Sequence, residues 1–244
     1  MKLLEGIEVT RHFGGLCALY NVDFYVHEGE IVGLIGPNGA GKTTLFNVIT
    51  GTFPPTSGTI KFEGKNITGF RPYNICRLGI ARTFQIPKPF PSMSVYENIL
   101  AASIFGCDKD KGTSDIKWDI NQILEKFGLA DKSRTPASNL AVFEQRMLEI
   151  ARALGTKPKL LLLDEVMAGL NPKETTQVSN IIQGLRDDGI TILMIEHNMR
   201  AAMGISHRVI VLNQGMKIAD GKPEEIGKDT KVIEAYLGEA YVRD

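Results

Sequence analysis

The chain has 244 residues, enough to bury a large core as one compact unit or as two closely joined lobes. Apolar residues make up 43% and charged residues 23%, and the 28 Lys and Arg balance the 28 Asp and Glu, which argues against a nucleic-acid surface as the main interaction. The sequence has no apolar run of the ~18–20 residues that a bilayer span needs, and its start, MKLLEGIEVTRHF, lacks the apolar stretch and cleavage site of a signal peptide.

Cys17, Cys76 and Cys107 form neither a CxxC pair nor a metal-ligand pattern. Reduced thiols in a cytoplasmic protein are expected, the plain reading being buried small hydrophobes. Val22, Phe24 and Val26 alternate with polar neighbours, as in a half-buried strand. EIVGLIG, residues 30–36, is an apolar run ending in glycine and predicts a fully buried strand. A helix is expected from about Lys42 to Gly51, where GTFPPTSG is turn chemistry. Short strands are expected at residues 59–62 (TIKF) and 79–85 (GIARTFQ).

The composition changes after Gln85. IPKPFPSM is proline-rich and fits neither a central strand nor a helix interior. Helices are predicted near residues 95–105, 115–127 and 144–154, split by the polar connector GCDKDKGTSD. Residues 86–155 therefore read as a helical lobe inserted into an α/β domain that spans 1–244. The α/β pattern resumes with a buried strand at 159–165 (KLLLLDE), a helix at 172–188 and a second buried strand at 190–197 (ITILMIEH). Residues 208–221 predict a closing hairpin, and no appended regulatory domain is expected after VIEAYLGEAYVRD. Strands alternating with helices imply an α/β fold with a mostly parallel core sheet, antiparallel elements and the inserted helical lobe.

GPNGAGKTT, residues 36–44, matches G-x-x-x-x-G-K-S/T, with a buried strand before it and a helix after it. Gly36, Gly39 and Gly41 allow backbone N–H groups to turn inward around an anion in a loop completed by Pro37, Asn38 and Ala40, and the helix start adds its positive dipole end. Lys42 is placed to reach β- and γ-phosphates, the Thr43 hydroxyl to ligate Mg²⁺, and Thr44 to close the cradle. Four leucines bury the later strand, so Asp164 emerges at its C-terminal end, where α/β sheets bind ligands. Its carboxylate would hold Mg²⁺ through water, and Glu165, one step further on, would act as general base toward an attacking water.

With these residues in place, nearly the whole chain resembles the ATP-binding subunits of ABC transporters. The resemblance implies ATP and Mg²⁺ as ligands. It makes Phe13, in RHFGG, the aromatic that stacks on adenine, although on its own such a residue is more often core. Gln85, in TFQ, matches the Q-loop glutamine that reaches Mg²⁺ and the attacking water. Residues 168–172 (AGLNP) match the D-loop, with Asn171 where aspartate is commoner. His197, in MIEH, matches the switch histidine that contacts the γ-phosphate. Val166 stands where the family often has proline. FGGLCALYNVDFYVHEGEIVGLIGPNGAGKTTLFNVITG, ARTFQIPKPFPSMSVYENIL and VIEAYLGEA look like the ATPases of branched-chain amino-acid importers. Lipopolysaccharide-export and urea-import ATPases share much of the pattern, and a non-transport ATP-gated switch is the alternative of a different class.

In this family ATP is held between two subunits, one of which supplies an LSGGQ signature. LEIARAL sets the register, so Leu140, Ala141, Val142, Phe143 and Glu144 (LAVFE) overlay it. Ala141 loses the serine hydroxyl, Phe143 replaces a glycine that admits phosphate closely, and Glu144 adds negative charge. A hydrogen bond to a charged group contributes ~1.5–3 kcal/mol. Either the remaining N–H groups still suffice, or the chain is one half of an asymmetric heterodimer with an intact signature on its partner ATPase. The resemblance further implies integral membrane permease subunits, a solute-binding protein acting indirectly, and a peripheral position on the cytoplasmic face of the plasma membrane.

Overall fold

The structure, a computed structural model, describes residues 1–106, 113–196 and 199–237. Its elements run in chain order β1 Lys2–Phe13, β2 Leu16–His27, β3 Ile31–Ile35, α1 Lys42–Ile49, β4 Ser57–Phe62, β5 Lys65–Asn66, α2 Pro72–Arg77 and β6 Ile80–Arg82. Then come α3 Val95–Gly106, α4 Thr113–Lys126, α5 Val142–Gly155, β7 Leu160–Asp164, α6 Pro172–Asp187, β8 Thr191–Ile195 and α7 Met199–Ile205. The chain continues through β9 Arg208–Asn213, β10 Met216–Gly221, α8 Pro223–Ile226 and α9 Thr230–Leu237. Packing divides it into two compact units, Met1–Pro72 with Thr191–Asp244, and Tyr73–Ile190.

In the first unit, β3 pairs in parallel with both β8 and β9, and the β9–β10 hairpin adds an antiparallel edge. Every residue of β3 and β8 is buried, which is why both read as unbroken apolar runs in the sequence. The hairpin turns on Gln214 and Gly215, both at positive φ (47° and 79°), the mirror-image turn that matches strand twist. An antiparallel sheet in the order β2-β1-β4-β5 forms the second layer of this unit. In β2, Val22, Phe24 and Val26 are buried and Asp23 and His27 exposed, the alternation that the sequence carries.

The opening strand β1 has no such signature. Its pairing with β2 shifts register between Gly6 and Val9, and Glu8 sits at φ 49°. Such a bulge bends the strand and breaks the two-residue period. Within β1, a Cβ on Gly6 would lie 2.0 Å from the Phe24 ring, which is itself 2% exposed and has nowhere to go. Replacing Gly6 by Ala is therefore expected to destabilise the protein by ~1–3 kcal/mol, read as a lower urea midpoint.

In the second unit, β6 and β7 pair in parallel from Ile80↔Leu160 to Arg82↔Leu162. The expected strand at 79–85 is shorter than the sequence suggested. After Arg82 the backbone leaves the ladder because the Phe84 N–H is taken by the Glu149 carboxylate at 2.6 Å. Helices α3, α4 and α5 bury Val95, Ile99, Ile120, Leu124, Leu148 and Ile150, among others. Gly155, at the end of α5, allows close approach to α3: a Cβ there would meet Ser103 Oγ at 3.0 Å and the Ile99 carbonyl at 3.2 Å.

The proline-rich segment ahead of α3 is neither helix nor strand, as expected. Asn98 organises it. Fully buried, Asn98 accepts the Phe90 N–H at 2.8 Å and donates to the carbonyls of Phe90, Met93 and Ser94 at 3.0–3.2 Å. An Asn with its amide satisfied by backbone costs little to bury and ties a chain that prolines keep out of regular ladders. Among the described residues, no helix is long and apolar enough to cross a membrane. Cys107, most of the polar connector, His197 and the last seven residues lie outside the described residues.

Candidate functional site: a glycine-rich loop and a buried carboxylate pair

In the first unit, β3 delivers the chain to the phosphate loop and α1 takes it away. Gly36 and Gly41 need to be glycine for steric reasons beyond their positive φ of 150° and 102°. A Cβ on Gly36 would sit 2.1 Å from the Leu212 carbonyl of β9, and one on Gly41 would sit 2.6 Å from the Ala18 carbonyl. The β9–β10 turn backs the loop, since the Gly215 N–H donates to the Ala40 carbonyl at 3.1 Å and the Gly215 carbonyl accepts the Tyr20 N–H at 2.9 Å. Pro37 and the Ala40 N–H close a turn at 3.2 Å, leaving Asn38 and Gly39 exposed at its tip.

The start of α1 carries no side-chain cap and no acidic residue in its first turn, so its N–H groups and dipole remain available to an anion. Lys42 is 5% exposed, and its ammonium donates to the Gly36 and Pro37 carbonyls at 2.7 and 2.9 Å. The lysine is thus held inside the loop that would bind phosphate. Thr43 is exposed and Thr44 half-buried at the helix start.

Phe13, at the end of β1, is 41% exposed and therefore not a core residue. Its ring packs edge-to-face against Phe53 with centroids 5.2 Å apart, and the Arg11 guanidinium lies 4.6 Å from Phe13 and 4.7 Å from Phe53. Arg11 is fixed in turn by the Pro54 carbonyl at 2.8 Å. The arrangement is an exposed aromatic platform with a cation on it.

In the second unit the structure brings Gln85, Asp164 and Glu165 together. Asp164 ends the fully buried β7 and is 3% exposed. Arg82 Nη2 donates to its Oδ2 at 2.7 Å, and its own N–H donates to Thr83 Oγ1 at 3.1 Å. Glu165, 6% exposed, accepts from Gln85 Nε2 at 2.7 Å through Oε2. Its backbone is left-handed at φ 54°, a conformation that costs a non-glycine residue ~1–3 kcal/mol and that neighbours must hold. Arg146 does part of this, donating to the Glu165 carbonyl at 2.5 Å. Sequence reading missed this arginine, along with Glu149 and Arg152 behind the Gln85 loop, because all three sit in an ordinary amphipathic helix pattern.

Val166 is 2% exposed, so the residue after Glu165 is an anchor in the core. Asn171 caps α6: its side-chain oxygen accepts the Glu174 N–H at 2.9 Å, Glu174 returns the bond to the Asn171 N–H at 3.0 Å, and Pro172 opens the helix. Asparagine and aspartate cap equally well, which accounts for Asn171 in this position.

The LAVFE segment opens α5. Leu140 is buried, while Ala141 and Val142 are exposed and Phe143 and Glu144 half-buried. Ala141 is the capping residue and offers no side-chain bond; Glu144 instead accepts the Ala141 N–H at 3.0 Å and pairs with Lys132. The Lys132 bond holds the Glu144 carboxyl below the usual range against a burial cost, and the Ala141 N–H adds to the effect. The helix start thus carries its own carboxylate. No group of three or more His, Cys, Asp or Glu side chains among the described residues could hold a metal.

A glycine-rich loop between a buried strand and a helix, with an Asp–Glu pair ending another buried strand, defines a P-loop nucleotide hydrolase. The family described as ABC transporter matches residues 19–168, and one described as branched-chain amino acid ATP-binding cassette transporter matches residues 216–242. The chain is 46% identical to the high-affinity branched-chain amino acid transport ATP-binding protein LivG of Escherichia coli K12, with 98% of each covered. It is 42% identical to BraF of Pseudomonas aeruginosa, again over 98% of each, and 34% identical to the lipopolysaccharide export system ATP-binding protein LptB of Escherichia coli K12, over 99% of each. A nucleotide-free ATP-binding cassette from an ABC transporter matches its fold with a TM-score of 0.89 at 33% identity, covering 98% of this chain and 100% of that one. The chain belongs to the ATP-binding subunits of ABC transporters, and its activity is that of an ABC ATPase.

Proposed function

We propose that the protein is the ATP-hydrolysing subunit of an importer of branched-chain amino acids, working on the cytoplasmic face of the membrane with integral permease subunits and, through them, a solute-binding protein. The observation that carries this reading is agreement between the match of the 216–242 segment and the full-length likeness to LivG and BraF. Residues 1–244 form one ABC ATP-binding domain with the helical lobe inserted at 86–155. Phe13 stacks on adenine; the 36–44 loop with Lys42 binds the phosphates; Thr43, Gln85 and Asp164 serve Mg²⁺. Glu165 removes a proton from the attacking water, and His197 contacts the γ-phosphate. Mg²⁺ supplies charge neutralisation on the β- and γ-oxygens when bound.

We infer further that the chain is one half of a heterodimer. The start of α5 has no serine hydroxyl, exposes Ala141 and Val142, and already carries on its first turn Glu144, which is paired with Lys132 from the preceding segment. Such a helix end is a weak ligand for a partner's γ-phosphate, since its own carboxylate already occupies the positive pole. The purified chain is expected to bind ATP yet turn it over slowly. Exchanging LAVFE for LSGGQ is expected to raise its self-dimer ATPase by about tenfold or more, corresponding to one or two recovered charge-assisted hydrogen bonds. Fast turnover of the unaltered chain that the exchange leaves unchanged counts against the heterodimer. Failure to co-purify with integral membrane subunits counts against the transporter role.

A further inference from the structure

Arg146, Glu149 and Arg152 stand three residues apart on α5 and so share one helix face. Each reaches a backbone atom of the hydrolytic segments. Arg146 Nη1 donates to the Glu165 carbonyl at 2.5 Å, Glu149 Oε1 accepts the Phe84 N–H at 2.6 Å, and Arg152 Nη1 donates to the Lys88 carbonyl at 2.8 Å. Arg152 also lies 5.0 Å from the centre of the Phe90 ring. Between the outer grips sits Gln85, whose amide meets the Glu165 carboxylate at 2.7 Å.

Glu149 is an expensive residue for a helix face that packs inward. It is 6% exposed, and burial lifts its carboxyl above the usual range, with the Phe84 N–H, Arg152, the Lys88 N–H and Arg146 pulling it back. A buried apolar side chain would pack there without desolvating a charge. What the carboxylate adds is a fixed acceptor for the backbone next to Gln85. Glu165, at a left-handed φ of 54°, likewise needs something to hold its peptide, and Arg146 grips its carbonyl.

We propose that Arg146, Glu149 and Arg152 are positioning residues for hydrolysis, holding the peptide of Glu165 and the 84–88 backbone so that Gln85 and the Glu165 carboxylate stay in register. Because the same helix begins with LAVFE, it links the turn that faces a partner's nucleotide to the chain's own base. This rests on Glu165 acting as that base.

The test uses the full chain, with ATP hydrolysis followed with enzyme in excess, affinity measured with a fluorescent ATP analogue, and amide hydrogen exchange followed over residues 83–90. Arg146→Ala and Glu149→Ala are expected to slow hydrolysis by about tenfold or more, the usual effect of displacing a catalytic group, while ATP affinity stays within about twofold. Arg146→Lys and Glu149→Gln keep a donor and an acceptor in place and are expected to recover most of the rate. Exchange at Phe84 is expected to accelerate in Glu149→Ala and not in Glu149→Gln. If Glu149→Ala does not fold, Arg146→Ala and Arg152→Ala carry the same expectation. Hydrolysis within about twofold of the unaltered chain in the alanine variants, alongside its loss in Glu165→Gln, overturns the positioning role alone. Retained hydrolysis in Glu165→Gln overturns the assignment of the base, and this role with it.

Discussion

Replacing Glu165 by Gln is expected to lower ATP turnover by about 10²–10⁴-fold while ATP binding persists. Glutamine matches glutamate in size, so the 6%-exposed pocket stays filled, and its amide oxygen can still accept from Gln85. Val166 remains buried and the Arg146 bond goes to the main chain, so neither support depends on the side-chain charge. What the substitution removes is the lone pair basic enough to take a proton from water. Steady-state phosphate release and equilibrium binding of labelled ATP on the same preparation separate the two effects. Turnover within tenfold of the unaltered protein would falsify the assignment of Glu165 as base.

The second large effect is on stability. Arg82 and Asp164 form a pair at 2.7 Å with side chains only 8% and 4% exposed. Arg82→Ala leaves the aspartate charge at the end of β7 without that cation in a low-dielectric site, an error that typically costs ~3–5 kcal/mol. The arginine also packs on Phe84, with 5.4 Å from guanidinium carbon to ring centre, so packing is lost as well. Urea unfolding is expected to show a reduced midpoint at an unchanged slope. The double variant Arg82→Met with Asp164→Asn is expected to regain a substantial part of the loss, because no lone charge is then buried and the aliphatic stem is replaced. A double variant no more stable than Arg82→Ala would show that packing around Arg82, and not the unpaired charge, dominates. The pair also bears on chemistry. A carboxylate has lone pairs for both an arginine and a metal's water, so Arg82 can orient Asp164 without displacing it from a role toward Mg²⁺.

Much of the fold was legible because its elements announce themselves locally. IVGLI and LLLLD are buried on both faces and have no period to disguise them; the glycines of residues 36–41 stand where a strand must turn sharply into a helix; the 208–221 hairpin carries its Gln214–Gly215 turn in sequence. Strand β1 was not legible, since a bulge at Glu8 shifts its buried face, and α2 and α7 are too short for a helical period to show. The strand expected at 79–85 ends at Arg82 because a carboxylate far along the chain captures the next backbone donor. Val166 and Asn171, unexplained or unusual as letters, become a core anchor and a helix cap once their surroundings are known.

By itself, then, the sequence determined the α/β class and singled out the glycine-rich loop, the Asp164–Glu165 pair and the LAVFE stretch. Each is a contiguous stretch whose residue types act through their own backbone or their immediate neighbours. Only the tertiary structure decided which distant groups meet them. Gln85 meets Glu165 across 80 positions, Arg82 meets Asp164 across 82, and Glu149 meets Phe84 across 65. A hydrogen bond depends on atoms coming within about 3 Å in the folded chain, and no local pattern of residues encodes which distant backbone a buried carboxylate or guanidinium will find.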